Sequence, residues 1–260
     1  MAEKLSAILI TLNEEGNIRD YLHNFSFADE IIVVDSFSTD NTAKIIKEEF
    51  PHVKLFQREF INFSDQKNFA IKQASHPWSI FFDADERIGE ALKEEILETI
   101  GDPNAKDAYF IYRRLHFMNK FLKYSGWQND KAVRLFRTNK CRYNPQQLVH
   151  ETMYCQDNIG FLKNRLDHYT FTSVEEYENK LDFYAQLRAK ELYRKNLKPN
   201  FFHFTIKPIF RFLHHYLFGL GFLDGKEGYV ISRIYGKHVY RRYQFLEKLR
   251  NETSLKPSND

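Results

Sequence analysis

Cysteine is scarce in this sequence, and neither cysteine lies in a metal-binding pattern. Cys141 and Cys155 are the only two in 260 residues. No CxxC or Cys/His spacing of the kind that binds zinc accompanies them. We therefore expect two buried, reduced thiols and no disulfide.

Long apolar runs are also missing. The sequence contains no stretch of roughly 18 or more uninterrupted apolar residues, which a membrane-spanning helix needs. The apolar run Leu5–Ile10 is too short for a signal peptide, and Asn13, Glu14 and Glu15 soon follow it. We therefore expect a cytoplasmic protein without a transmembrane helix.

Glycine-rich phosphate-binding motifs are absent after the first predicted strand, where two enzyme classes need them. A nicotinamide-dependent dehydrogenase carries G-x-G-x-x-G there, and a sugar-nucleotide pyrophosphorylase also carries a glycine-rich signature. The segment that directly follows the first strand of this chain contains a single glycine, Gly16. Both classes are therefore disfavoured.

Composition and charge are those of a folded protein with one strongly basic segment. The chain is 43% hydrophobic and 28% charged, with a net charge of +3. Between Ile231 and Arg250, six lysines and arginines accompany a single acid, Glu247. This asymmetry favours an anionic surface as partner. Because no known nucleic-acid-binding module accompanies it, we do not expect a nucleic-acid partner.

The first 115 residues alternate strands and helices. This alternation predicts an α/β fold, a doubly wound and mainly parallel sheet with helices on both faces. The predicted strands are Leu5–Thr11, Glu30–Asp35, Val53–Arg58, Trp78–Asp83 and Ala108–Arg113. Four helices are predicted between these strands. The first begins near Asn13, the second ends at about Phe50, the third extends from Ser64 to Ala74, and the fourth extends from Glu90 to Ile100.

The pattern changes after residue 169. Short strands and loops precede this point, and Ser173 begins a capping box that predicts a helix to about Lys195. We therefore predict a domain over residues 1–169 and a helical C-terminal extension over residues 170–260.

An Asp-x-Asp motif ends the buried strand that begins at Trp78. Asp83 and Asp85 are hard oxygen ligands of the kind that suits Mg²⁺ or Mn²⁺ together with substrate phosphates. The alternative is an acidic N-cap on the next helix. A haloacid-dehalogenase-type phosphatase also uses Asp-x-Asp, but after its first strand and with Thr or Val at the position of Arg87.

Polar residues also end the first two strands. Thr11, Asn13 and Glu14 follow strand one, and Asp35 and Asp40 follow strand two. The carboxyl ends of parallel strands meet at the edge where ligands bind, so these side chains suit ribose hydroxyls or a uracil-like base. A turn-and-cap pair is the alternative for the two aspartates.

Three segments in this order, Thr11–Glu15, Val33–Thr42 and Asp83–Glu86, resemble the signature of family 2 glycosyltransferases. The resemblance implies a GT-A fold over residues 1–169, inverting transfer, a nucleotide-diphosphate sugar donor (a UDP-sugar above all) and Mg²⁺ or Mn²⁺ as cofactor. Asp83 and Asp85 would be the metal ligands. The residues that the resemblance assigns to the donor site are Thr11, Asn13, Glu14, Asp35, Gln66, Lys67, Asp83 and Asp85.

The same resemblance suggests the catalytic base. Inverting transfer needs a group that takes the proton of the acceptor hydroxyl, and Glu151 matches the acid that many family members use. Asp130 is the second candidate. An exposed loop carboxylate is the alternative for Glu151, and His150 and His168 are either ligands or structural histidines.

Short motifs in the second half are similar to bacterial lipopolysaccharide-core glycosyltransferases of the β-1,4-glucosyltransferase type. This similarity implies transfer of a hexose to a glycan or glycolipid acceptor in lipopolysaccharide or another cell-envelope glycan. A non-catalytic nucleotide-sugar-binding partner subunit is the alternative function. The motifs are Gly126-Trp127, Arg134–Arg137, Val149–Glu151, Leu166–Tyr169 and Gly221–Gly225.

An amphipathic, basic helix is predicted over Phe202–Phe222. Five apolar residues recur on one side and four basic residues on another. Two interpretations remain open: the helix lies on an anionic membrane, at the inner face of the cytoplasmic membrane, or it packs on the catalytic domain or on a second subunit of a homo-oligomer. The residues are Ile206, Phe210, Leu213, Leu217 and Leu220 on the apolar side, and Lys207, Arg211, His214 and His215 on the basic side.

Overall fold

The computed structural model describes residues 3–118, 120–144, 152–155, 158–171 and 173–254. The chain divides into two compact units, one of Met1–Arg113 and Asp130–His168, the other of Arg114–Asn129 and Tyr169–Asp260. Residues 114–129, which precede the predicted division at residue 169, thus belong to the second unit.

The strands and helices alternate along the first part of the chain as the sequence predicts. The strands are β1 (Leu5–Thr11), β2 (Glu30–Asp35), β3 (Lys54–Gln57), β4 (Trp78–Phe81), β5 (Glu86–Arg87), β6 (Ala108–Phe117), β7 (Lys120–Leu122), β8 (Lys131–Arg137), β9 (Cys141–Tyr143), β10 (Met153–Cys155) and β11 (Ile159–Phe171). The α-helices are α1 (Ile18–Asn24), α2 (Thr42–Glu49), α3 (Phe63–Gln73), α4 (Glu90–Gly101), α5 (Val174–Arg194), α6 (Lys207–Leu213) and α7 (Gly225–Ser254).

The main sheet of the first unit has the strand order β3-β2-β1-β4-β8-β6-β11-β5. Strands β1 to β4 pair in parallel, whereas β8 runs antiparallel to β4 and to β6. The predicted α/β fold with a largely parallel sheet and a helical C-terminal part is confirmed.

Helices cover both faces of this sheet because successive side chains of a strand point to opposite sides. Ala7 and Leu9 of β1 face a core that also contains side chains of α1, α2 and α4. Ile8 faces a second core that contains Ala70 and Ile71 of α3. The buried strands β1 and β2 therefore carry nearly continuous apolar runs.

Two predicted helix starts are wrong. Helix α1 begins at Ile18 and not near Asn13, because a turn comes first: the amides of Asn17 and Ile18 donate to the carbonyl of Glu14. Helix α3 begins at Phe63, and Asn62 is its N-cap in place of Ser64, since its side chain accepts a hydrogen bond from the amide of Asp65.

The expectation of two reduced thiols is also wrong, because the structure joins Cys141 and Cys155 in a disulfide. The two residues lie opposite each other on the antiparallel strands β9 and β10. Their Cα atoms are 4.3 Å apart, close to the lower limit of about 4.4 Å that is usual for a disulfide. The pairing of two three-residue strands brings the cysteines together. No pattern in the sequence predicted this pairing.

In the second unit, helices α5 and α6 pack along α7. A π-helical turn (Phe202–Ile206) precedes α6 and another (His214–Phe218) follows it, so the chain is helical from residue 202 to residue 218. The Asp224 carboxylate accepts hydrogen bonds from the amides of Lys123 and Tyr124 and so ties residues 114–129 to this unit. Among the residues that the structure describes, no helix is both long and apolar enough to cross a bilayer.

Candidate active site

The carboxyl ends of β1 and β2 bring Thr11 and Asp35 side by side. The two residues are partners in the parallel register, and both are buried. Asp35 accepts hydrogen bonds from the amide of Ser38, at 3.1 Å, and from Gln57 Nε2, at 3.0 Å. The chain holds this carboxylate in one orientation at the edge of the sheet.

Reciprocal hydrogen bonds join the loops that follow β1 and β2. The Asn13 amide donates to Ser38 Oγ at 2.8 Å, and the Thr39 amide donates to Asn13 Oδ1 at 2.8 Å. Asn13 has a φ of 58°, a left-handed conformation that asparagine tolerates. Asp40 accepts hydrogen bonds from the amide and hydroxyl of Thr42, so the turn-and-cap interpretation holds for this residue.

Glu14 lies partly buried near the Asp-x-Asp motif. Burial raises the pKa of its carboxyl group, the hydrogen bond from Asn17 opposes this, and the nearby charges of Asp85 and Asp40 raise it further. Glu14 therefore takes up a proton more readily than an exposed glutamate does.

Helix α3 contributes Gln66 and Lys67. Gln66 is fully buried, and its Nε2 donates to Ser36 Oγ at 3.0 Å, beside Asp35. The Lys67 ammonium lies 5.0 Å from the ring centre of Tyr143. Its positive charge helps to lower the pKa of Asp83. The predicted donor-site residues of this helix therefore lie near the aspartates of β2 and of the Asp-x-Asp motif.

Asp83 is not a helix cap; its side chain, which is 39% exposed, pairs with the buried residue Arg134 in an ion-pair cluster. Helix α4 begins at Glu90 with Gly89 as its N-cap, which excludes the capping interpretation of Asp83 and Asp85. Arg134 Nη2 lies 2.5 Å from Asp83 Oδ2 and 2.6 Å from Glu86 Oε1. The Arg134 side chain is only 4% exposed.

The ion pairs set the charge of this cluster. Burial opposes ionisation of Asp83, but the Arg134 guanidinium, aided by Lys67 and His168, outweighs burial and lowers the pKa of this carboxyl below its usual range. Burial raises the pKa of Glu86, and the charge of Asp83 adds to the rise while Arg134 opposes it. Asp83 is therefore ionised at every physiological pH.

A second arginine joins Asp130 to the same cluster. Arg113 Nε and Nη2 contact both oxygens of Asp130 at 2.9 Å, and Nη1 lies 3.6 Å from Glu86 Oε1. Both carboxylate oxygens of Asp130, the second candidate for the catalytic base, thus contact the guanidinium group of Arg113.

His168 lies beside Asp85, because β5 pairs antiparallel with β11 and sets His168 opposite Glu86. His168 Nε2 is 3.2 Å from Asp85 Oδ2, and the two side chains are 14% and 26% exposed. Sequence reasoning noted His168 but not this partner, which depends on a strand of two residues. Asp83, Asp85 and His168 together present oxygen and nitrogen atoms at one edge.

Several buried polar atoms at this edge lack hydrogen-bond partners within the described parts of the chain. They come from β1, α3, β8 and β11, all of which end or pass beside the Asp-x-Asp motif. In native proteins most such atoms bond to protein, to a ligand or to ordered water. They are Thr11 Oγ1, Gln66 Oε1, Arg134 Nε and His168 Nδ1.

The donor set fits a divalent cation that shares its coordination with a ligand. No group of three or more metal-binding side chains is assembled within the described ranges. Mg²⁺ usually takes only one or two carboxylates and completes its coordination with waters and substrate phosphates. Asp83 and Asp85 supply that number, and the carboxylates of the cluster outnumber its guanidinium groups.

Glu151 and His150 lie outside the residues that the structure describes. The first candidate for the catalytic base therefore stays a prediction, as do the roles of the other donor-site residues.

Comparison with known proteins identifies the family. Residues 6–170 match the sequence profile described as "Glycosyl transferase family 2", which is more than half of the chain. LpsC of Rhizobium meliloti, a lipopolysaccharide core biosynthesis glycosyltransferase, is 28% identical over 92% of this chain and 93% of its own length. A glycosyltransferase of Rickettsia conorii is 30% identical over 100% of this chain and 94% of its own.

Solved structures show weaker likeness. The crystal structure of TarS residues 1–349 from S. aureus is 18% identical, with a TM-score of 0.46 over 96% of this chain and 92% of that one. Glucosyl-3-phosphoglycerate synthase from Mycobacterium tuberculosis, determined with Mn²⁺ and uridine diphosphate, is 14% identical, with a TM-score of 0.46 over 76% of this chain and 80% of that one. The profile match and the curated relatives together show that this chain is a transferase that belongs to glycosyltransferase family 2.

Proposed function

We propose that this chain transfers a hexose from a nucleotide-diphosphate sugar, with UDP as the expected nucleotide, to a hydroxyl group of a glycan or glycolipid. The proposal includes inversion at the anomeric carbon and dependence on Mg²⁺ or Mn²⁺. It rests above all on one observation: carboxylates and unpartnered buried atoms gather at one edge of the sheet. In open α/β sheets this edge is where nucleotides bind.

Different residues of the chain would bind different parts of the donor. Asp35 and Thr11, at the ends of β2 and β1, suit the hydroxyl and amide hydrogens of a nucleoside. Asp83 and Asp85 would hold the cation, which when bound offsets the charge that grows on the departing diphosphate. Arg134 keeps Asp83 ionised, and His168 positions Asp85.

In the proposed reaction the acceptor oxygen attacks the anomeric carbon from the face opposite the diphosphate. The bond between the anomeric carbon and the phosphate oxygen breaks, and the nucleoside diphosphate leaves with the electron pair. The acceptor proton passes to a base, for which Glu151 is the first candidate. Asp130 suits this role less well, because both its oxygens contact Arg113.

The acceptor is proposed from the relatives. The name of LpsC refers to lipopolysaccharide core biosynthesis, which favours a cell-envelope acceptor. If that acceptor is lipid-linked, the enzyme acts beside the cytoplasmic membrane. Peripheral contact with its inner face and a homo-oligomer stay predictions.

A thermal-shift panel of nucleotide sugars with Mg²⁺ or Mn²⁺, followed by hydrolysis assays of the stabilising donors, tests the function. A bound donor raises the unfolding temperature by mass action. We expect a UDP-sugar to stabilise the chain only with the metal and to be slowly hydrolysed. Stabilisation without any hydrolysis or transfer would favour the non-catalytic partner subunit, and no stabilisation by any donor would contradict the proposal.

Glu151→Gln tests the proposed base. Loss of a general base lowers kcat by roughly 10²-fold or more, while donor affinity stays unchanged. Asp130→Asn is the matched control, and we expect a smaller loss of kcat. If Glu151→Gln turns over like the wild type, Glu151 is not the base.

A further inference from the structure

Exposed apolar side chains line one side of the helical segment 202–218 of the second unit. We call this group of side chains the exposed apolar face. Its side chains recur every three or four positions, so they lie along one side of the helix. They are between 36% and 61% exposed. The residues are Phe202, Ile206, Ile209, Phe210, Leu213 and Leu217.

The opposite side of the same segment already packs against α7. The Phe204 ring contacts the rings of Tyr240 and Tyr243, with centroids 5.7 and 6.2 Å apart. Phe212 contacts Tyr229 at 5.9 Å. The segment is therefore anchored through one side, and its exposed apolar face is not needed for the core of this unit.

Contiguous exposed apolar surface on this scale marks an interaction site. Monomeric proteins rarely expose large apolar patches, and those that they do expose are often functional. Two further apolar residues are exposed at the end of the segment and beyond it, since Phe218 is 74% exposed and Phe222 is 46% exposed.

The charge around this face has one sign. No acidic residue occurs between Glu191 and Asp224, and Asp224 is buried with its carboxylate bound to backbone amides. Exposed cations lie just before the segment, at Lys195 and Lys198. Of the predicted basic side, Arg211 lies 5.4 Å from the ring centre of Tyr235 and Lys207 Nζ donates to the hydroxyl of Tyr243, so these two residues face α7. An apolar stripe that begins beside exposed cations and has no acids along it matches the interface of an anionic bilayer.

We propose that the exposed apolar face lies in the headgroup region of a membrane that contains anionic phospholipid. A second copy of this chain fits the same surface less well. A symmetric dimer through this face would bring two copies of the same segment together, and the segment has no carboxylate to form an ion pair across that interface. Anionic headgroups supply that missing charge.

Flotation of the full-length chain with vesicles tests the proposal. We expect flotation with vesicles of phosphatidylcholine and phosphatidylglycerol, and much less with phosphatidylcholine alone. High salt should weaken the binding, because salt screens the attraction between the cations and the headgroups. Absence of flotation with the anionic vesicles at low salt would overturn the proposal.

A matched pair of variants locates the contact. Ile206→Ser together with Phe210→Ser should weaken vesicle binding by at least about tenfold, since two side chains lose their burial in the bilayer. Phe183→Ser is the control, because Phe183 lies on α5 of the same unit and is 58% exposed, against 61% for Phe210. Unfolding temperatures near that of the wild type would show that both variants fold.

Two outcomes would contradict this location. Equal loss of binding in the Phe183 variant would show that the contact is not specific to the exposed apolar face. The second outcome would come from sedimentation velocity without lipid. A dimer that the Ile206 and Phe210 substitutions dissociate would show that a second copy covers this face. A monomer that floats with anionic vesicles supports the proposal, whatever sugar the enzyme transfers.

Discussion

Arg134 carries the least exposed positive charge among the ion pairs of the candidate site, and its removal tests the ion-pair cluster. Arg134→Met would leave Asp83 and Glu86 without their closest cation. Removal of one partner of a buried ion pair costs about 3–5 kcal/mol. We expect a loss of this size in the free energy of unfolding, measured by urea denaturation near neutral pH.

Arg137→Met is the matched control, because Arg137 lies on the same strand. Its side chain is 21% exposed; it pairs with Glu3 and lies 4.2 Å from the ring centre of Trp78. Partly exposed contacts of this kind contribute about 1 kcal/mol. Similar losses in the two variants would show that the Arg134 cluster has no special weight.

His215 makes the stability of the second unit depend on pH. Its ring stacks on Tyr235, with centroids 4.0 Å apart, and Nδ1 lies 3.0 Å from the carbonyl oxygen of Ser125. Burial lowers the pKa of His215 from 6.5 to about 4; the Ser125 carbonyl opposes this, and Arg211 adds to it. The folded chain therefore keeps this ring neutral at pH values where the unfolded chain protonates it.

Stability should consequently fall as the pH falls from about 6.5 to about 4. In this window the unfolded state binds more protons than the folded state does. In His215→Gln the fall should be smaller by about 2–3 kcal/mol, as measured by urea denaturation across the window. His52→Gln, at an exposed histidine, should behave like the wild type. An unchanged slope in His215→Gln would refute this account.

Only those residues of the candidate site that follow from the end of a single strand could be predicted from the sequence. Thr11, Asp35 and Asp83 could be predicted because parallel strands end at a common edge. The contact of Asp85 with His168 could not, since it depends on the pairing of β5 with β11, which lie far apart in the chain. Arg134 was noted within the Arg134–Arg137 motif, but its ion pairs with Asp83 and Glu86 follow from tertiary packing.

At the scale of elements, the β9–β10 hairpin is held by the disulfide that the sequence did not predict. Cys141 and Cys155 are 14 residues apart, and closing a loop of about this length stabilises a protein by about 3 kcal/mol in the chain-entropy account. We expect reductant to lower the free energy of unfolding by about this amount. The doubly substituted Cys141→Ser, Cys155→Ser chain should be insensitive to reductant. Two free thiols in the denatured, unreduced protein would contradict the disulfide.

Helix positions were predicted more reliably than helix starts. The predicted positions of α2 and α4 agree with the structure, where the buried residues of both helices repeat at helical spacing. The start of α1 was placed too early, since acids in a first turn also suit the turn at Glu14. Local capping chemistry decides such boundaries, and several residues near a helix start are able to supply it.

At the scale of the whole molecule, the alternation of strands and helices predicted the α/β class but not how the chain divides into units. Residues 114–129 belong with the C-terminal helices, because contacts such as those of Asp224 with the amides of Lys123 and Tyr124 join segments distant in sequence. Ile206, Phe210, Leu213 and Leu217 of the exposed apolar face were predicted as part of a periodic stripe, whereas Phe202 and Ile209 were not. Only its exposure distinguishes it from a stripe that packs inside.

We propose that the edge of the sheet at Asp83 and Asp85 binds a nucleotide diphosphate through a divalent cation. Calorimetric titration of UDP into the wild type and Asp85→Asn, each with Mn²⁺ or with EDTA, tests it most directly. The control is Asp102→Asn, at the C-terminal end of α4, which should bind like the wild type.

We predict that the wild type binds UDP at least about tenfold more tightly with Mn²⁺ than with EDTA. In Asp85→Asn this difference should disappear while the variant remains folded. Equal affinity of the wild type in both conditions, or a metal effect that survives in Asp85→Asn, would contradict the claim.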